Sequence, residues 1–292
     1  SISACAARQS RIRAAVEGAV PTSPPATQVM TRGWAPLWRD LAMAREQADF
    51  WPYLALKTIR LTYARSLFGP FWITLTLGLQ VGALSVLLSA LLGTPSFHIA
   101  PWISLGLILW TFIASSLTEA STLIRSHSPY FFDRETSVSG FVAALLLRQM
   151  VITAHHALVW VLLAPLFAIW PRWSWLLALA ALPVLVVTLF GLCLCLAVIT
   201  PRFRDLERLT DLVLMAGFFL TPVLWRQRDL LNHHFIATWN PLTHLLAIVR
   251  DPLLGGPAPL FSLAVSIVSA LLALLLGAVA LVRCRPYLMG WI

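Results

Sequence analysis

From Ser66 through Thr118 the chain contains no Asp, Glu, Lys or Arg. One membrane crossing takes about 20 residues, so this stretch is long enough for two. Gly93-Thr94-Pro95-Ser96 supplies a turn signal in its middle. The pattern predicts a helical hairpin with spans near 69–92 and 98–122. A polar loop over 125–140 follows, carrying Arg125, His127, Asp133, Arg134 and Glu135. Two further apolar runs predict spans near 142–169 and 174–199, divided by Trp170-Pro171-Arg172-Trp173, an aromatic-belt signature. Leu212 to Trp225 is again uncharged, yet it amounts to only about 21 Å of helix, short of a ~30 Å hydrocarbon layer. Residues 226–258 then mix charged and polar residues with Leu, Ile, Phe and Trp, the composition of an interfacial or re-entrant segment. A last span is predicted near 259–282, with Arg283 and Arg285 behind it.

Ahead of the first span the pattern changes. Residues 1–36 are rich in Ala, Arg, Pro, Ser and Thr and read as a flexible cytoplasmic tail. Residues 37–66 are compatible with helix, interrupted at Trp51-Pro52. Leu56, Ile59 and Tyr63 fall on one face, and Lys57, Arg60 and Arg65 largely on the other. That arrangement predicts an amphipathic helix lying in the membrane interface.

Composition narrows the function classes. Of 292 residues, 59% are hydrophobic and 11% charged, too few charges to cover a water-soluble globule. A soluble enzyme, a disordered chain and a nucleic-acid-binding domain are excluded. The net charge of +9 is almost entirely arginine, Lys57 being the only lysine. Arginine of this kind marks the cytoplasmic ends of membrane helices. With a cytoplasmic N-terminus and six spans, the outside holds only Arg172, Arg226, Arg228 and Arg250; with five spans it holds only Arg172, Arg283 and Arg285. The charge rule therefore makes the N-terminus cytoplasmic and leaves five or six crossings open.

Candidate chemistry is sparse. Cys5, Cys193, Cys195 and Cys284 form no disulfide framework. Neither a GxxxxGK[ST] phosphate loop, nor a GxSxG elbow, nor an HExxH helix is present. The chain has no such route to ATP hydrolysis, and no catalytic or metal-binding residue is assigned. His155 and His156 point about 100° apart on a helix, which suits cross-helix hydrogen bonding better than a shared metal. Glu119 is expected to reach water or to pair with Arg125, and Arg148 to snorkel to the interface. Gly78 and Gly82 have the GxxxG spacing that lets two helices approach, within one subunit or between two. Most of the 13 tryptophans belong to an interface belt. Trp110 and Trp160 lie inside spans and are candidate channel lining, because aromatic faces stack on sugar rings.

Five short pieces then resemble one family in order and spacing. Arg60-x-x-Tyr63-x-x-Ser66-x-x-Gly69-x-x-Trp72 is similar to the start of span one in permeases of the ABC type-2 transporter family, in its polysaccharide-exporting group. The 125–140 loop leading to Arg148 and His155-His156 resembles that family's cytoplasmic coupling segment and third helix. Thr200-Pro201-Arg202-Phe203-Arg204-Asp205-Leu206 is similar to its RFRDL-type loop, and Thr221-Pro222-Val223-Leu224-Trp225 to its TPxxW motif. Trp239-Asn240-Pro241-Leu242, followed by Arg250, resembles its NP motif.

The resemblance implies an all-α polytopic membrane protein. Its six-helix domain would fill 67–285, with 211–225 as the fifth helix, 226–258 as a re-entrant cap and 286–292 as a C-terminal tail. Both termini would be cytoplasmic, in a bacterial inner membrane. Two permease copies would pair with two copies of a separate ATP-binding subunit, which supplies the ATP and Mg; this chain itself binds no cofactor and no nucleic acid. Ser128, Pro129, Tyr130, Phe131 and Phe132 would contact that subunit. Lys57, Arg60 and Arg65 would meet a pyrophosphate-linked lipid carrier or anionic membrane lipid at the cytoplasmic mouth. The expected cargo is a cell-surface glycan such as O-antigen or capsule. A type-2 permease for a drug or small hydrophobic molecule, and a polytopic membrane transferase, stand as alternatives.

Overall fold

The computed structural model describes residues 33–62, 69, 71–93, 95–133, 136–226, 234–257 and 259–291. The chain divides into Ser1–Ala35 and a compact unit, Pro36–Ile292. Residues 1–32, and with them almost all of the expected tail, lie outside the described residues. So do Tyr63 and Arg65.

Helix is the only regular secondary structure among the described residues. α1 (Ala35–Glu46) and α2 (Phe50–Thr62) form the region expected as one interrupted amphipathic helix. The break falls at Gln47–Asp49, ahead of Trp51-Pro52. Pro52 instead sits in the first turn of α2, where a backbone N–H would have no helical acceptor. Gly69 follows with φ +52°, and among the described residues beyond its chain neighbours no atom lies within 4 Å of where a Cβ would stand. Backbone conformation, not crowding, calls for glycine there.

The hairpin comprises α3 (Phe71–Leu92) and α4 (Ser96–Ser126). α5 (Ser128–Asp133) is a short helix in the polar loop. α6 (Val138–Leu166) and α7 (Ser174–Ile199) match the next two expected spans closely. α8 (Asp205–Leu220) starts six residues ahead of the expected fifth helix because Asp205 and Glu207 suit the positive end of a helix dipole. α9 (His234–Trp239) and α10 (Pro241–Leu253) occupy the segment read as re-entrant, and α11 (Leu260–Cys284) runs into a 3₁₀ helix, Arg285–Gly290.

Five of these helices are long and apolar enough to cross a membrane: Phe71–Leu92, His98–Ser126, Val138–Leu166, Ser174–Ile199 and Leu260–Gly290. α8, with 16 residues, is not among them. The chain is therefore a polytopic helical protein with five such helices among its described residues, and the sixth expected crossing is not one of them.

α4 is the centre of the bundle and touches α3, α6, α7, α8 and α10. The most extensive helix contact joins α7 to α11. A Cβ on Gly191 would stand 2.3 Å from the Ala273 backbone, and one on Gly277 2.5 Å from the Gly191 carbonyl oxygen. The two backbones thus meet through glycine, the means by which helices associate where lipid removes the hydrophobic drive between them.

Candidate functional site

Two clusters organise the motif residues, one at each end of the bundle. The first is built around the loop between α4 and α6. Ser137 caps α6, its Oγ accepting from the Gly140 N–H at 3.0 Å. Gly140 leaves the space taken by the Trp51 ring; a Cβ there would stand 2.2 Å from it. Trp51 packs edge-on to Phe141 at 5.3 Å between centroids, and its Nε1–H donates to the Ala44 carbonyl at 2.8 Å. Phe131, Tyr130 and His127 surround the same Phe141 ring at 5.2, 5.7 and 5.1 Å. Aromatic rings in such tilted and edge-to-face pairs stabilise one another beyond their burial.

This geometry sorts the five residues expected to contact a partner. Ser128 is half-buried, while Pro129 and Tyr130 are exposed, Tyr130 by 44%. Phe131 is turned inward and only 3% exposed, because the ring completes the Phe141 cluster. Phe132 belongs to α5, and its side chain lies outside the described residues. Sequence reasoning missed Phe50, Trp51 and Phe141, which hold α5 in place. Their signal was faint: Phe50 and Trp51 start a helix far ahead of this loop in the chain, and Phe141 lies in an apolar run.

Lys57 and Arg60 are exposed on α2, with the Lys57 ammonium 5.7 Å from the Tyr53 ring centre. Glu119 pairs with Arg148 of α6, and Arg125 pairs with Glu207 of α8. Glu119, expected to reach water or to pair with Arg125, has a side chain 40% exposed and does not pair with Arg125; α4 touches both α6 and α8 and presents these two charges to different neighbours. Arg202 is exposed, its guanidinium stacked near Phe203 at 5.3 Å and Trp291 at 5.1 Å. Arg204 is the N-cap residue of α8 and Asp205 its first residue. Trp72 is 45% exposed at the start of α3.

The second cluster lies where α8 ends. Thr221 and Pro222 are buried, and Asn240 Nδ2 donates to Thr221 Oγ1 at 2.9 Å. Asn240 is also the N-cap of α10, its Oδ1 accepting from the Leu242 N–H at 3.0 Å, with Pro241 at the first helical position. Arg250, on the same helix, is 2% exposed and donates to the Pro222 carbonyl at 2.6 Å. Its guanidinium stands 3.5 Å from the Trp102 ring centre, a desolvated cation–π contact. Trp102 in turn donates to the Trp225 carbonyl at 3.1 Å. Gly106 admits the Val223 backbone, whose carbonyl oxygen would lie 2.5 Å from a Cβ. The TPVLW segment, Asn240-Pro241 and Arg250 are one bonded knot, although up to 29 residues separate them in sequence.

No family model matches the chain. Two O-antigen export system permease proteins, both RfbA from Klebsiella pneumoniae, are similar to it at 34% and 31% identity over 86 residues. The match takes in 29% of this chain and spans 32% of the length of each of these curated relatives. The chain therefore has a distant, partial similarity to O-antigen export permeases. That agrees with the resemblance carried by the five motifs, and it bears on about a third of each relative.

The two tryptophans expected inside spans have different surroundings. Trp110 lines a groove of about 380 Å³ between α4 and α8, beside Phe218 and Phe219, with Thr118 and Asp211 at one end. Thr118 donates to Asp211 Oδ1 at 3.0 Å. Trp160 packs against Trp175 at 4.7 Å and is 4% exposed, so it belongs to the α6–α7 packing. His155 binds the Val151 carbonyl of its own helix at 2.8 Å, while Thr74 of α3 donates to the His155 carbonyl at 3.1 Å. Among the described residues no group of three His, Cys, Asp or Glu side chains is placed to hold a metal ion.

Proposed function

We propose that this chain is the transmembrane permease subunit of an ATP-driven exporter that carries a polysaccharide across the bacterial inner membrane, an O-antigen, capsule or similar cell-surface glycan. What carries the reading is the bonding of Thr221, Pro222, Asn240 and Arg250 to one another in a chain similar to O-antigen export permeases. In it α8 is the fifth membrane helix, shortened because α9 and α10 turn back as a re-entrant cap. That gives six membrane helices and two cytoplasmic termini.

ATP hydrolysis belongs to a separate subunit, with its own ATP and Mg, in a complex of two permeases and two ATPases. Ser128, Pro129 and Tyr130 on the outer side of α5 meet that subunit, while Phe131 holds α5 to the bundle. Lys57, Arg60 and Arg65 attract the phosphates of a lipid carrier at the cytoplasmic mouth. Trp110, only 7% exposed and packed on Phe218, borders the α4–α8 groove and meets sugars there at its rim. No bond of the cargo is made or broken here.

The test is a pull-down of the tagged chain from its native membrane in mild detergent, with mass spectrometry and an ATPase assay, beside a deletion strain scored for surface glycan and drug sensitivity. A stoichiometric ATP-binding subunit and lost surface glycan are expected. A chain that purifies alone sinks the exporter reading, and altered drug sensitivity with intact glycan moves the cargo to small hydrophobic molecules.

A further inference from the structure

Asp40 is fully buried, and its carboxylate draws three distant parts of the chain together. Oδ1 accepts from the Val138 N–H at 2.9 Å. Oδ2 accepts from the Ser139 N–H at 2.9 Å and from Ser137 Oγ at 3.0 Å. Arg285, at the head of the C-terminal 3₁₀ helix, forms an ion pair with the same carboxylate and donates to the Thr136 carbonyl at 3.1 Å. Thr136 Oγ1 then donates to the Tyr130 carbonyl of α5 at 2.7 Å.

A buried carboxylate is costly unless it is paired and hydrogen-bonded. Here it gains two amide donors at the positive end of α6, a hydroxyl and a guanidinium. α6 already has a local cap in Ser137. A carboxylate from a helix 97 residues earlier is therefore not needed to start it. What Asp40 adds is a cross-link between α1, the α5–α6 junction and the chain's last helical segment.

We propose that Asp40 and Arg285 form a clasp that makes the C-terminal segment part of the coupling apparatus. A push on α5 reaches α6 through the 136–139 junction, and the clasp passes the same push through Arg285 to α11. The starts of α6 and the end of α11 then move as one body. Asp40 and Arg285 are positioning residues in this scheme, which rests on the reading of α5 as the contact with an ATP-hydrolysing subunit.

The experiment uses the full permease–ATPase complex in nanodiscs of phosphatidylethanolamine and phosphatidylglycerol, with Arg285→Ala, Arg285→Lys and Asp40→Asn. Amide hydrogen exchange is read over 136–140 and 285–290, and glycan moved per ATP hydrolysed is read in proteoliposomes. Loss of a charge-assisted bond at a buried site is expected to speed exchange at Val138 and Ser139 about tenfold in Arg285→Ala. Glycan moved per ATP should fall several-fold while ATP hydrolysis continues, and Arg285→Lys should recover at least half of it. Should Arg285→Ala fail to insert, Asp40→Asn carries both readouts, since it keeps the side-chain shape. Exchange at 138–139 unchanged in either variant overturns the clasp. Faster exchange with the wild-type ratio of transport to hydrolysis overturns its role in coupling. A wild-type complex that moves no glycan fails the exporter reading instead, and the exchange result still decides whether the clasp exists.

Discussion

α3 and about the first three-quarters of α4 come from one uncharged run and end in opposite surroundings. Of the most apolar stretch of α3, 17% is buried; of that of α4, 78%. Leu79 on α3 is 75% exposed, whereas Ile103 and Ile113 on α4 are fully buried. Small residues do not separate them either. Gly106 on α4 is pressed against the Val223 backbone, yet a Cβ on Gly82 of α3 would meet nothing within 4 Å and one on Gly78 only Val159, at 3.9 Å. Lipid and protein interior are equally apolar, so hydropathy sends a segment into the membrane without saying which side faces protein. That choice follows from partners. α4 has the Pro222–Val223 turn and Arg250 to pack against, and α3 has mainly α4 and α6.

The sharpest way to break the comparison is Gly106→Val. Its side chain must displace a backbone carbonyl, which should destabilise the chain by about 3 kcal/mol or more and abolish a monodisperse peak in detergent size exclusion. A wild-type profile would mean that α4 is not pressed against the 222–223 turn. Next come paired truncations, read as thermal midpoints in detergent. Ile113→Ala should cost about 3 kcal/mol and Leu79→Ala under about 0.5 kcal/mol; equal shifts would erase the distinction between the helices. Arg250→Lys keeps the charge but loses the planar stack on Trp102 and the reach to Pro222, for about 1–2 kcal/mol. An unchanged midpoint would take Arg250 out of the knot. Smallest is Gly82→Ala, expected to leave the midpoint within about 0.5 kcal/mol of wild type. A marked loss would reveal a neighbour packed on that face.

The knot at the end of α8 was partly legible, because Thr221-Pro222, Asn240-Pro241 and Arg250 are motif positions. That Trp102 lies under Arg250, and that Gly106 opens the space for Val223, was not, since both look like ordinary residues of an apolar run. In the loop between α4 and α6, Ser128 to Phe132 read as a contact surface, but an aromatic run does not say which ring turns inward. Phe131 does so because Phe141, Trp51 and Gly140 form a socket from two other helices. Asp40 has no sequence signal of its role. It is one acidic residue in a mixed helix, and its donors lie 97 to 245 residues away.

The sequence by itself determined that this is a multi-pass membrane protein, helical over its described residues, where five of its long apolar helices run, and that its motifs resemble polysaccharide-exporting permeases. These follow from local quantities: apolar length, turn residues, charge placement and motif spacing. Only the tertiary structure decided which apolar face is buried, which glycine is crowded, which acid pairs with which arginine, and that both ends of the compact unit close on Asp40. Such outcomes depend on close approach between segments far apart in the chain, and in an apolar medium no local pattern encodes them.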